Sequence, residues 1–279
     1  MGKTIDLRAR LSHHLPIAYG VSGPLASPLF TRGEVKRLIA TARDQGIGVF
    51  DTGPTYGAGE AEKRLGQAVG NDASIIVMTK AGTLVAGPIK RDRDFSPAAI
   101  VKSVESSLIR LKRDRIDVLW LHGPVRRELT DDLFSAIQAM QDAGKIGSVG
   151  LATREYNVMR ALAGSPIEAL MAPVNEKNDP RREIGDTQPD ISLFGIEVLA
   201  LTDAKRRNSV GRSYLWKTAT RIIRGESNTH AARTVEDAIS YAFGQSKCDI
   251  VVTTTTKSAR IVENAALGKR FQKASGTAI

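Results

Sequence analysis

Short apolar runs and amphipathic stretches alternate along the whole chain. Apolar-rich runs recur at 16–20, 47–51, 75–80, 116–122, 148–151, 167–172, 196–201 and 250–253. Runs this short, bounded by Gly, Pro, Ser and Asp, read as buried strands. Between them the period becomes helical. Thr31 and Glu34 fit a capping box, Val35, Leu38, Ile39 and Ala42 follow on one face, and the helix ends near Gly46. Further helices are expected over 60–69, from Ser96-Pro97 to about 112, from Thr130 to Gly144, over 154–163, around 186–193, over 234–243 and over 259–267. Ahead of the first strand, weak alternation from Thr4 to Leu15 predicts a short N-terminal hairpin.

Strand and helix taking turns eight times, with no break in composition, predict an α/β fold: a single (β/α)8 TIM barrel over 1–279 as one domain. The rival, a doubly wound open sheet, brings a Gly-rich dinucleotide turn after its first strand. Gly57-Ala58-Gly59 lacks the third glycine, and Met1-Gly2-Lys3-Thr4 lacks the loop of a phosphate-binding motif.

In such a barrel the C-terminal strand ends share one mouth. Three consecutive strands end in Asp51, Lys80 and His122, and the loop after Asp51 carries Tyr56. A phenol titrates near ~10 and is a poor acid at neutral pH, but an adjacent ammonium stabilises the phenolate. A carboxylate holds that ammonium charged, and an imidazole orients a carbonyl oxygen or joins the relay. The set suits protonation of a carbonyl oxygen or deprotonation of an alcohol. With no metal-ligand spacing in the sequence, the carbon is read as exchanging hydride with a bound cofactor. Taken singly, each residue has a structural reading: helix cap, packed aromatic, solvated lysine, buried histidine. Four suitable types at successive strand ends favour a site.

Composition narrows the class. No apolar run reaches the ~18 residues a membrane helix needs, and the first residues lack the apolar core of a secretion signal, so a soluble cytoplasmic protein is expected. Cys248, the single cysteine, precedes an apolar run and reads as a buried inert thiol. His13-His14 lack a third ligand and read as surface histidines. Forty basic against thirty acidic residues give a net charge of +10, and the segment 203–226 carries seven of the former against two of the latter. That segment reads as a solvated loop or as a flap over a pyrophosphate or an anionic substrate; no nucleic-acid recognition motif accompanies it.

The run Asp51-Thr52-Gly53-Pro54-Thr55-Tyr56-Gly57, with Glu60 and Leu65-Gly66 behind it, resembles the signature of the aldo-keto reductase family. Leu111 to Asp117 before Leu121-His122-Gly123-Pro124 resembles the family's fourth strand and its approach, and Arg260-Ile261-Val262-Glu263-Asn264 its adenosine-binding segment. The likeness implies Tyr56 as general acid/base, Lys80 and Asp51 as the groups that tune it, and His122 as the residue orienting a small carbonyl substrate. It also implies a nicotinamide cofactor extended across the mouth, NADP by preference with NAD as the other possibility. Its contacts would be Thr153 and Asn175 at one end, and Thr254, Thr255, Lys257, Arg260, Glu263 and Asn264 at the other.

The resemblance is interrupted at the nicotinamide end. Where the family commonly has Ser-Asn after the fifth strand, this chain has Ala152-Thr153; Met171 replaces a Gln, Val174 a frequent Tyr, and Leu201 an aromatic. These departures motivate a second reading, a cofactor-binding regulatory barrel with little catalysis.

Overall fold

The computed structural model describes residues 6–85, 91–160, 164–184, 190–201 and 234–274. Eight parallel strands close into a barrel in the order β1 (Ile17–Gly20), β10 (Ile250–Thr253), β9 (Ser192–Ile196), β8 (Ala169–Pro173), β7 (Ile146–Ala152), β6 (Ile116–His122), β3 (Ile76–Ala81) and β2 (Val49–Asp51). Around them lie α2 (Arg32–Asp44), α3 (Glu60–Val69), α4 (Pro97–Leu111), α5 (Asp131–Asp142), α6 (Tyr156–Arg160), α7 (Pro180–Ile184), α8 (Val235–Gly244) and α9 (Ser258–Ala274). The expected capping box opens α2: the Thr31 hydroxyl accepts from Glu34 N, and the Glu34 carboxylate accepts from Thr31 N. Ser96 caps α4, with Pro97 at its first position. Among the described residues no helix is long and apolar enough to cross a membrane.

Strand alternation divides the core in two. One set, including Tyr19, Phe50, Val77, Leu119, Val149 and Leu193, packs outward against the helices. The other fills the barrel: Ala18, Val49, Ile76, Met78, Val118, Trp120, Ala152, Ala169, Met171, Phe194 and Ile250. Trp120 is fully buried there, its ring 4.9 Å from that of Phe194 at 75°. Gly150 makes the room, since a Cβ at that position would come 2.2 Å from the indole.

Three expectations are corrected. Residues from Leu7 to Leu11 form a short helix, α1 (Leu7–Leu11), in place of the hairpin. The Asp6 carboxylate caps it through Arg8 N at 3.0 Å, and Leu7 and Leu11, one helical turn apart, plug the barrel floor. The seventh strand is Ser192–Ile196, with Val198–Leu201 in a 3-10 turn after it, because two adjacent apolar runs competed and the first pairs with β8 and β10. Of the helix expected around 186–193, residues 186–189 lie outside the described residues, and Ser192 and Leu193 belong to β9. A short helix, α7, precedes them from Pro180, where the Asp179 carboxylate accepts from Arg181 N at 3.0 Å. A small antiparallel sheet that the pattern did not announce, β4 (Thr83–Val85) with β5 (Arg91–Arg93), follows β3.

Candidate active site

The barrel-facing parity places the candidate residues. In β2, β3 and β6 the inward positions include Val49, Met78 and Trp120. Two residues further on, the same face presents Asp51, Lys80 and His122 as the next layer, at the C-terminal mouth. In register, Asp51 lies beside Met78, Lys80 beside Trp120, and His122 beside Ala152, each step round the barrel staggered by two residues.

Asp51 and Lys80 are 5% and 4% exposed, so neither charge is left to water. The Lys80 ammonium donates to Asp51 Oδ1 at 2.7 Å, to Asp51 Oδ2 at 2.6 Å and to the Thr52 carbonyl at 2.7 Å. Burial pulls the ammonium down, but the Asp51 carboxylate and the Tyr56 hydroxyl outweigh it and hold Lys80 above its ordinary value. Burial pushes the Asp51 carboxyl above the usual carboxylate range, against the pull of Lys80. The lysine's direction governs the site, because all three of its donors meet oxygen.

Tyr56 is half-buried over this pair, with Lys80 Nζ 5.1 Å from its ring centroid. Its loop is tightly seated. A Cβ at Gly53 would come 3.2 Å from the Tyr56 ring and 3.4 Å from Lys80 Cδ, so with any larger residue the two side chains must give way by a few tenths of an ångström. Gly57, at φ +61°, backs onto the Ala26 carbonyl, which a Cβ would approach to 2.4 Å. His122, half-buried, ends β6; its carbonyl accepts from the Thr83 hydroxyl at 2.7 Å, and Arg93 donates to the Gly123 carbonyl at 3.1 Å. The β4–β5 sheet therefore buttresses the histidine's strand end.

Across the mouth the surroundings change. Ala152, Met171 and Phe194 are buried and apolar, with Ile196 packed against them. Thr153, buried, accepts from Glu155 N at 3.1 Å through its hydroxyl oxygen, which leaves the hydroxyl proton to donate. Asn175 uses its Oδ1 locally, accepting from Lys177 N, Asn178 N and Asn178 Nδ2, which leaves its own amide N–H groups as donors. Val174 is buried. Leu201, expected at a strand end, lies in the 3-10 turn beyond β9. Arg154 pairs with Glu197 across the end of β8.

The third cluster follows β10. Thr254 and Lys257 are exposed, Thr255 and Asn264 buried, Arg260 half-buried and Glu263 exposed. The Tyr19 hydroxyl donates to the Thr255 carbonyl at 2.7 Å, and Thr255 Oγ1 accepts from Lys257 N at 3.2 Å, so β1 and the turn into α9 hold this loop. β1 pairs with both β10 and β2, which puts the loop on the same mouth as Asp51. The basic segment 203–226 lies outside the described residues. The sequence reading missed the Thr52 carbonyl, the wedge position Gly53 and the Thr83 prop. Nothing in the sequence alone marks them; the structure shows Gly53 without a left-handed backbone, closely faced by Tyr56 and Lys80.

The description "Aldo/keto reductase family" matches this chain over residues 24–275, and the chain belongs to that family. It is similar to the aldo-keto reductase YhdN of Bacillus subtilis (strain 168), 33% identical over 143 residues, 49% of this chain and 42% of that protein. It is also similar to a D-threo-aldose 1-dehydrogenase of Pseudomonas sp, 32% identical over 164 residues, 50% of each chain. The matches thus span about half the length of these curated relatives. Among solved structures, the holo form of an aldo-keto reductase from Bacillus halodurans superposes with a TM-score of 0.70 at 21% identity, covering 93% of this chain and 91% of that one.

Proposed function

We propose that this chain, working as one barrel unit, is a nicotinamide-dependent oxidoreductase acting on the carbonyl or alcohol of a small aldehyde, ketone or sugar. The observation that carries the reading is the Lys80 ammonium, held by three oxygens at 2.6–2.7 Å with the Tyr56 ring 5.1 Å away. Tyr56 transfers the proton to or from the substrate oxygen. Lys80 stabilises the phenolate left behind, and Asp51 with the Thr52 carbonyl keeps Lys80 charged and in place. His122 orients the same oxygen by hydrogen bonding.

The donor set fits the cofactor. The free hydroxyl proton of Thr153 and the amide of Asn175 suit a carboxamide oxygen, while Ile196, half-buried and packed on the Met171–Phe194 cluster, offers an apolar surface for a ring. Thr254, Thr255, Lys257, Arg260, Glu263 and Asn264 gather around the start of α9, and a helix N-terminus favours phosphate. Lys257 and Arg260 favour NADP over NAD. When bound, the nicotinamide supplies or accepts the hydride; the chain's residues handle the proton.

Titration with NADPH and NADH, followed by turnover on a panel of small aldehydes, ketones and sugars, tests the reading. Binding with turnover is expected. Binding without turnover favours the regulatory barrel that Ala152 and Met171 suggest, and failure to bind either cofactor overturns both.

A further inference from the structure

Glu62 is fully buried, yet it has no part in the chemistry proposed above. It lies in the first turn of α3, the helix that the Tyr56 loop runs into, and accepts a hydrogen bond of 2.6 Å from the Thr79 hydroxyl. Thr79 immediately precedes Lys80. Strand alternation turns Lys80 into the barrel and Thr79 outward to α3. The second Glu62 oxygen accepts from Arg110 Nε of α4 at 2.5 Å, and Arg110 also donates to the Ser107 hydroxyl at 3.2 Å. The same arginine lies across the Tyr56 loop, for a Cβ at Gly59 would come 2.6 Å from Arg110 Cδ.

A buried carboxylate is a poor source of stability, since well-packed apolar residues commonly do as well or better in its place. What it supplies is direction. Apolar contacts between a helix and a strand tolerate sliding, whereas short charge-assisted hydrogen bonds fix a register. From the Thr79–Glu62–Arg110 chain we infer that Glu62 is a positioning residue. It pins the helix behind Tyr56 to the strand that carries Lys80, and so sets the approach of phenol to ammonium. This rests on the roles assigned above to Tyr56 and Lys80.

The pair Thr79→Val and Thr79→Ser tests it. The first keeps the shape and removes the hydroxyl; the second keeps the hydroxyl. The full chain is assayed with NADPH and 4-nitrobenzaldehyde for its kcat–pH profile, NADPH affinity is titrated, and the variants are crystallised. For Thr79→Val, kcat falls about tenfold and the alkaline limb of its profile moves to higher pH, because charge stabilisation weakens with separation. NADPH affinity holds within about twofold, the Tyr56–Lys80 separation lengthens, and Thr79→Ser restores all of these. Wild-type rate, profile and separation in Thr79→Val would overturn the inference. If Thr79→Val does not fold, Glu62→Gln is read the same way, with a smaller loss expected because it keeps an acceptor for Thr79. If the wild type binds NADPH but reduces no carbonyl, the functional assignment fails, and the separation seen in the crystals still decides whether Glu62 positions Tyr56.

Discussion

The two sides of the barrel mouth are made of opposite materials. Beside β2 and β3 an ion pair is buried to a few per cent exposure, with every ammonium donor on an oxygen. Beside β7, β8 and β9 the inward residues are Ala152, Met171, Phe194 and Ile196, above the Trp120 indole. The first side is preorganised: its charges are placed before any substrate arrives, so little reorganisation remains for the reaction. The second side offers shape and two polar donors, Thr153 and Asn175. On the proposed function, the chain specifies proton handling tightly and ring binding loosely.

The contrast is broken most severely by Asp51→Asn. Removing one partner of a buried pair leaves the other desolvated and costs about 3–5 kcal/mol. The pH dependence also changes sign. In the wild type, Lys80 is raised by Asp51 and Tyr56 against burial, so its contribution is complete below the ordinary lysine range near ~10.4 and is lost as pH rises through the raised value. Without the carboxylate, burial prevails and the folded lysine binds its proton more weakly than the unfolded one. Stability of the variant should then rise with pH on the approach to the ordinary lysine range near ~10.4, where the Lys80 contribution in the wild type is flat. Urea midpoints across that range check the slope.

A smaller effect is expected on the apolar side. Met171→Gln places an amide against Phe194 and Trp120, where Met171 is 2% exposed. It should lose about 1–3 kcal/mol of stability in urea and gain nothing in NADPH affinity. Tighter NADPH binding would instead mean that the ring pocket wants the polar contact this chain lacks. Smallest is Thr153→Ala, which removes one donor and should weaken NADPH by about five- to tenfold in a fluorescence titration, with kcat at saturation little changed.

How much of this was legible follows the same division. Asp51, Lys80 and His122 could be read because each ends an apolar run, and the barrel's geometry then assembles them. Caps such as Thr31 and Ser96 announced their helices. The seventh strand could not be placed, because Ile191–Ile196 and Ile196–Leu201 are equally apolar and only pairing with neighbours decides between them. The plug helix was hidden by weak alternation that Leu7 and Leu11 satisfy at helical spacing as well. The β4–β5 sheet carries Arg91, Asp92 and Arg93 where a strand pattern would show apolar residues. Glu62 stands in a charged helical stretch with no distinguishing pattern, and only the fold puts Thr79 opposite it.

The most direct test of the central claim is the NADPH-dependent turnover of Tyr56→Phe beside the wild type, with cofactor affinity measured on both. The phenylalanine keeps the ring over Lys80 and removes only the proton-carrying oxygen. The account predicts a fall in kcat of about 10²–10⁴-fold, the range general acid/base groups contribute, with NADPH affinity unchanged within about twofold. A variant that keeps its rate within about fivefold of wild type would contradict it, because general acid catalysis lost at this position should cost far more.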